Sequence, residues 1–87
     1  MITTAFGPAE LVEEVAVAQS AELKEFSTHI QLLKGVNGDE LVRFAYSTDA
    51  TARRGPVTLR MADLKRLRKA LGKTPKLREY LAKICGG

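Results

Sequence analysis

The chain has 87 residues, of which 45% are hydrophobic and 28% are charged. These proportions describe an ordinary globular chain and exclude a disordered one, and the length allows one modest core. No apolar run approaches the ~20 residues that a membrane-spanning helix needs, and the N-terminus lacks a basic-then-apolar signal pattern. The single cysteine, Cys85, cannot form an internal disulfide. We therefore expect a single domain over residues 1–87, with no membrane contact and a cytoplasmic location.

Charge is divided unevenly along the chain, whose net charge is +4. Residues 1–49 hold eight acidic and three basic residues, a net of −5, whereas residues 50–87 hold eleven basic and two acidic residues, a net of +9. Such asymmetry suggests a partner that contacts the basic half, and nucleic acid is the commonest such partner. Solvated helix faces rich in Lys and Arg would give the same pattern, so charge alone leaves both interpretations open.

The N-terminal quarter gives mixed signals. Residues 1–7 show no strong period and predict a loose terminus. Gly7-Pro8 followed by three glutamates is typical of a helix start, because Pro suits the first turn and carboxylates suit the positive end of the helix dipole. The valine-rich stretch 14–19 favours a strand weakly. Local signals thus favour a helix over residues 8–20, with a strand as the alternative.

The next two segments predict an antiparallel hairpin. Residues 26–36 alternate between two faces, with His29 and Gln31 opposite the apolar side. Asn37-Gly38 is the strongest turn signal in the chain, because both residues tolerate positive φ. Residues 41–47 alternate in the same way. The apolar face of this hairpin would carry Phe26, Ile30, Leu32, Val42, Phe44 and Tyr46.

A basic loop, a short strand and two helices follow. Residues 48–56 form a predicted polar loop that carries Arg53-Arg54 and the turn-forming Gly55-Pro56, and residues 57–61 alternate again. Leucines then recur at helical spacing, which predicts a helix over 62–71 that ends at Gly72. Thr74-Pro75 is a good start for a second helix over 75–84.

One sheet face and one helix stripe are apolar enough to pair as a core. We expect the following residues to be buried together: Ile30, Val42, Phe44, Val57, Leu59, Leu64 and Leu67.

Enzymatic signals are poor. His29 lies on a predicted strand and has no Cys or Asp at metal-ligand or triad spacing, so a sheet histidine is the better interpretation. Glu13-Glu14 is an adjacent pair whose side chains would diverge on solvated surface. The glycines fit turns rather than a phosphate-binding loop. We expect no enzyme, no metal and no cofactor.

The arginines give a stronger functional signal, and that signal is for binding nucleic acid. Arg53 and Arg54 occupy the predicted loop, where guanidinium groups can reach phosphates with little backbone constraint. Arg43 and Arg60 project from neighbouring strands, and Tyr46 could offer a stacking face for a base. The alternative is that Tyr46 belongs to the core, which its spacing with the other apolar residues of its strand favours.

The segment 41–71 resembles the positive cofactor four family of single-stranded-DNA-binding transcriptional coactivators, which has bacterial and phage relatives. The family pattern is hydrophobic-Arg-x-x-aromatic, a basic loop before a Gly, a strand of the type hydrophobic-Ser/Thr-Leu, and a helix. Arg43 matches its strand arginine, Tyr46 its aromatic, Arg54 its basic loop residue and Gly55 its turn glycine. The family usually has Trp at the position of Tyr46, and the second helix is an addition.

This resemblance, extended to residues 11–71, implies an α+β fold: a four-stranded antiparallel sheet over about residues 11–61, followed by one or two C-terminal helices at about 62–71 and 75–84. It implies that residues 12–19 are a strand, against the local helix signal. It also implies a homodimer formed largely through the first helix. A separate argument favours a dimer, because helix 62–71 has too few apolar residues to cover the sheet.

We therefore expect a non-enzymatic protein of the coactivator type that binds single-stranded DNA or RNA, located in the cytoplasm or on the nucleoid. The residues expected to hold the nucleic acid are Arg43, Arg53, Arg54 and Arg60, with Lys34 and Tyr46 as weaker contributors. One alternative is a protein–protein interaction module of phage or plasmid type on the same fold. Another is a helix-turn-helix that reads duplex DNA with Lys76 and Arg78.

Overall fold

The computed structural model describes residues 1–22, 24–48 and 53–85, and for residues 21, 53–56 and 85 it describes the backbone alone. The strands are β1 (Ile2–Thr4), β2 (Gly7–Ala21), β3 (Lys24–Gly35), β4 (Glu40–Thr48) and β5 (Arg53–Arg60). The helices are α1 (Met61–Leu71) and α2 (Pro75–Ala82), followed by a 3-10 turn (Lys83–Cys85). The predicted α+β class and both C-terminal helices are confirmed.

In the described part of the chain the sheet is an antiparallel meander of five strands in the order β1-β2-β3-β4-β5, not the four predicted. The additional strand, β1, lies in the segment that the sequence predicted to be loose, and pairs Ile2 with Ala9. Gly7, at φ +104°, lets the chain reverse between β1 and β2. The Thr4 hydroxyl secures this turn, because it donates to the Gly7 carbonyl at 2.8 Å and accepts from the Phe6 amide at 3.0 Å.

Residues 8–20 form a strand, so the local helix signal is wrong and the strand implied by the family resemblance is confirmed. β2 pairs with β3 from Ala9↔Gly35 to Ala21↔Lys24, with a register shift between Leu11 and Glu13. This ladder supplies backbone partners along β2, and such tertiary pairing overrides a weak local preference.

The β3–β4 hairpin forms at the predicted turn. Gly38 has φ +92°, and the Gly35 amide donates to the Asp39 carbonyl at 2.8 Å. The register runs from Lys34↔Glu40 to Phe26↔Thr48.

The predicted basic loop is shorter than expected, because β5 already begins at Arg53. Arg53 pairs with Ser47 and Arg54 with Tyr46, and the register shifts between Phe44 and Tyr46. Both arginines therefore belong to a strand at backbone level, which corrects their assignment to a loop. Residues 49–52 of that loop lie outside the described residues.

The sheet curls, and its more polar face lies inside. Phe6, in the turn after β1, contacts the guanidinium of Arg60 at the end of β5, with 4.7 Å between its ring centroid and Cζ. Because β1 and β5 are the two outermost strands, this contact requires the sheet to bend toward itself. The inner face carries Ala9, Glu14, His29, Gln31, Leu33, Leu41, Arg43, Ala45 and Ser47.

The predicted core is therefore wrong. The outer face carries most of the expected core residues, and Phe44 and Val57 are exposed there, as is Leu67 on α1. The alternation was predicted correctly, but the curl buries the opposite set of side chains. Among the described residues the apolar part of the core is instead small: Ala9, Leu33 and Leu41 form one cluster with Ile2 packed against it, and Ala45 is also buried.

The helices extend the sheet without covering its outer face. α1 follows β5 directly and contacts β4 and β5, and α2 packs against α1. Neither helix contains a buried residue, and the apolar side chains Leu77 and Tyr80 on α2 and Ile84 in the following 3-10 turn are exposed. No helix in the described part of the chain is long and apolar enough to cross a membrane.

Candidate nucleic-acid interface

Arg43 and Tyr46, the two β4 residues predicted to bind nucleic acid, lie on opposite faces of the sheet. They are three positions apart, and side chains alternate along a strand. Arg43 is on the inner face and only 9% exposed, whereas Tyr46 is on the outer face and 42% exposed. The strand therefore does not bring the two together, and the suggestion that Tyr46 belongs to the core is wrong.

Arg43 belongs to a hydrogen-bonded network inside the curl. Its Nε atom donates to Oε1 of Gln31 at 2.7 Å, and the amide nitrogen of Gln31 donates to Oε2 of Glu14 at 2.5 Å. The backbones of these residues are in register on adjacent strands, Glu14↔Gln31 and Gln31↔Arg43. Because Arg43 is held within the sheet, it does not present its guanidinium on the outer surface.

The network continues through His29 to Ser47. The Nε2 atom of His29 lies 2.8 Å from the Ser47 hydroxyl, and its Nδ1 atom lies 3.2 Å from Oε2 of Glu14. The second contact is within ion-pairing distance, but it lacks hydrogen-bond geometry. Glu14 is therefore part of this inner cluster and not the freely solvated residue that the sequence suggested.

A carboxylate, an imidazole and a hydroxyl in this order also occur in serine hydrolases, where the imidazole activates the hydroxyl. The Ser47 residue is only 8% exposed, so a substrate would have to open the sheet to reach the hydroxyl. The cluster is better explained as a way to satisfy buried polar groups. Sequence spacing missed it because the three residues come from three strands. Side chains alternate along each strand, so the sequence does place Ser47 on the same face of β4 as Arg43, and His29 on the same face of β3 as Gln31.

Arg60 is bound to the start of α1. Its Nε atom donates to Oδ2 of Asp63 at 2.9 Å, and its backbone amide donates to the same oxygen at 3.0 Å. Arg66 also donates to Asp63. These hydrogen bonds and the arginine charges hold the pKa of Asp63 well below its usual range, and Asp63 in turn raises the pKa of Arg60. Arg60 is thus engaged by Asp63 and by the Phe6 ring.

Lys34 lies at the other end of β3 from the Tyr46 position. Lys34 pairs with Glu40 beside the Asn37-Gly38 turn, whereas Tyr46 pairs with Thr28. Lys34 and Thr28 are six positions apart along the strand, which is about 20 Å. Lys34 and Tyr46 therefore do not form one compact site.

A surface cleft surrounds Tyr46 at the end of the sheet that carries Arg53 and Arg54. This aromatic cleft, of about 440 Å³, is lined by Lys24, Phe26, Tyr46 and Thr48. The Arg54 backbone lies opposite Tyr46 in the ladder, and Arg53 lies opposite Ser47. The side chains of both arginines lie outside the described part of the structure. Lys24 and Phe26 were not predicted as site residues, although Phe26 was placed on the same face as Tyr46.

Metal-binding geometry is absent from the described residues, which contain no group of three or more His, Cys, Asp or Glu placed to hold an ion. Comparisons with protein-family models, with curated proteins and with solved structures find no match for this chain.

Proposed function

We propose that this protein binds single-stranded nucleic acid, with bases stacked in the aromatic cleft and phosphates held at the adjacent end of β5. The observation that carries the proposal is the exposed Tyr46 ring beside Phe26 and Lys24, with Arg54 opposite it in the ladder. An aromatic face with a cation beside it suits single strands, because any base can stack and positive charge neutralises phosphates.

The site differs from the set expected from the sequence. Tyr46, Arg53 and Arg54 are retained, and Lys24 and Phe26 are added. Arg43 is left out because it is buried, Arg60 because it is paired with Asp63, and Lys34 because it is remote. The role we infer is the coactivator-like, non-enzymatic one that the family resemblance implies.

The test is binding of fluorescent single-stranded oligonucleotides at several salt concentrations. Removing one phosphate-binding cation from a single-stranded complex should flatten the slope of log affinity against log salt by about 0.7. The double variant Arg53→Ala, Arg54→Ala should therefore lower that slope by about 1.4, whatever the base sequence. Tyr46→Ala should weaken binding by about 1–3 kcal/mol and leave the slope nearly unchanged.

Lys34→Ala is the matched control, since it removes one exposed charge about 20 Å along β3 from the cleft. It should leave both the affinity and the slope close to those of the parent. If the folded Arg53→Ala, Arg54→Ala variant binds single strands as tightly as the parent at low salt, the proposed site is wrong. Binding to duplex DNA that depends on Lys76 and Arg78 instead would favour the helix-turn-helix alternative.

The exposed apolar outer face supports a second candidate, a protein–protein interaction module. Val15, Val17, Phe44 and Val57 are all exposed on this face. Large exposed apolar patches usually mark interaction surfaces.

A further inference from the structure

This chain exposes more surface than a compact monomer of its mass. A folded monomer of 9.5 kDa is expected to expose about 5,000 Å². The chain exposes 6973 Å², which is about 1,900 Å² more. A stable interface of standard size buries about 800 Å² on each partner. The excess is therefore sufficient for one such interface.

Part of that surface is a groove on the outer face across β2, β3 and β4. The floor of this β2–β4 groove is apolar, and Glu13 stands at its β2 side. Its main lining residues on the outer face are Glu13, Val15, Ile30, Leu32 and Val42. Val15 is 55% exposed, which is costly for a strand valine that no partner covers.

The surface that complements this groove is on α2. Leu77 and Tyr80, spaced i and i+3, and Ile84 beyond them form an exposed apolar stripe, and Leu77 is 52% exposed. The segment is basic, with Lys76, Arg78 and Lys83 against one acid, Glu79. A basic amphipathic helix suits a groove with an apolar floor and an acidic side, because both the apolar areas and the charges match.

We propose that two copies of this chain form a reciprocal dimer, in which α2 of each copy occupies the β2–β4 groove of the other. A second copy is the occupant the structure favours, since one chain carries both complementary surfaces. Within one chain, α2 packs against α1 and the 3-10 turn. A two-fold axis uses each contact twice, so the assembly closes at two copies.

The dimer is independent of the nucleic-acid proposal. The groove is centred on the Val15↔Ile30 pair, whereas the aromatic cleft lies at the Phe26↔Thr48 pair. Ile30 and Phe26 are four positions apart on β3, which is about 13 Å. Docking of α2 in the groove therefore leaves Tyr46 accessible, and failure of either proposal leaves the other standing.

The test uses two variants that each damage one of the two surfaces. Val15→Asp places a charge in the groove, and Leu77→Asp places one on the helix stripe. The parent should sediment as a dimer of twice 9.5 kDa at micromolar concentration, and each variant as a 9.5 kDa monomer. Val36→Asp is the matched control, because Val36 is exposed in the β3–β4 turn outside the groove. It should remain dimeric.

Mixing the two monomeric variants separates this arrangement from others. The groove of Leu77→Asp and the helix of Val15→Asp are both intact, so an equimolar mixture should form a heterodimer, detected by native mass spectrometry. Circular dichroism checks the fold, and Tyr80→Lys replaces Leu77→Asp if that variant unfolds. The proposal is overturned if the parent is monomeric, if only one of the two variants loses the dimer, or if the mixture stays monomeric at millimolar concentration.

Discussion

Arg43 donates from Nε to Oε1 of Gln31 at 2.7 Å, between two strands on the inner face of the sheet. Gln31 is 1% exposed and itself donates to Glu14, so this amide links a buried cation to a carboxylate. Such a link is energetically important, because a buried charged group that loses its hydrogen-bond partner cannot recover it from water.

Gln31→Leu should therefore lower the free energy of unfolding by about 1.5–3 kcal/mol, the usual range for a hydrogen bond to a charged group. Urea unfolding followed by circular dichroism measures this loss. Gln19→Leu is the matched control, because Gln19 accepts from Thr28 at an exposed position. Its effect should stay within about 0.5 kcal/mol. Equal losses for the two variants would contradict a special role for the inner network.

The His29–Ser47 contact predicts a clear departure from additivity. Ser47→Ala should cost about 1–3 kcal/mol, because it leaves a buried imidazole nitrogen without its partner. His29→Leu should lower the free energy of unfolding by a similar amount, because it leaves the buried Ser47 hydroxyl without its hydrogen-bond partner. The double variant should be less destabilised than the sum of the two, by about 1 kcal/mol. A strictly additive double-mutant cycle would show that the contact contributes nothing to stability.

The start of α1 should depend on pH through Asp63. Its carboxylate accepts from Arg60 and Arg66, which lowers its pKa in the folded chain below the unfolded value. The resulting stabilisation is fully present above about pH 4 and is lost as the pH falls through the lower folded value. We expect backbone amides in the first turn of α1 to exchange faster as the pH is lowered from about 5 to 2, after correction for intrinsic rates.

Asp63→Asn should remove most of that pH dependence and leave the first turn frayed at neutral pH. Glu79→Gln is the matched control, since it changes an acid on α2 and should retain the dependence of the parent. Hydrogen exchange measured by NMR reports both. A first turn whose exchange is insensitive to Asp63→Asn would show that these ion pairs do not hold the helix start.

The β3–β4 turn should depend on Gly38. At φ +92° a side chain is strained, so Gly38→Ala should cost about 1–2 kcal/mol in the free energy of unfolding. Gly38→Asn should cost less, because Asn tolerates positive φ better than Ala. Thermal unfolding of the two variants compares these costs. An alanine variant as stable as the asparagine variant would contradict this account of the turn.

The sequence by itself determined most of the local structure of residues 26–47 and 57–82. Period-two alternation marked β3, β4 and the end of β5, Asn37-Gly38 marked the turn, and leucine spacing marked α1. These signals are short-range, because a strand face, a turn and a helix stripe each depend on neighbours a few residues away. The same alternation correctly separated His29, Gln31 and Arg43 from the apolar residues on the other face.

The tertiary structure decided which of those faces is inside. The sheet curls around Gln31 and Arg43, and the Phe6–Arg60 contact joins its two ends. No local pattern predicts this, because burial of a charged side chain depends on partners from other strands, here Gln31 and, through it, Glu14. The pairing of β2 with β3 likewise overrode a local helix signal over residues 8–20. Because of this long-range pairing, Arg43, which the sequence suggested as a nucleic-acid-binding residue, belongs to the inner network, and Tyr46 is exposed.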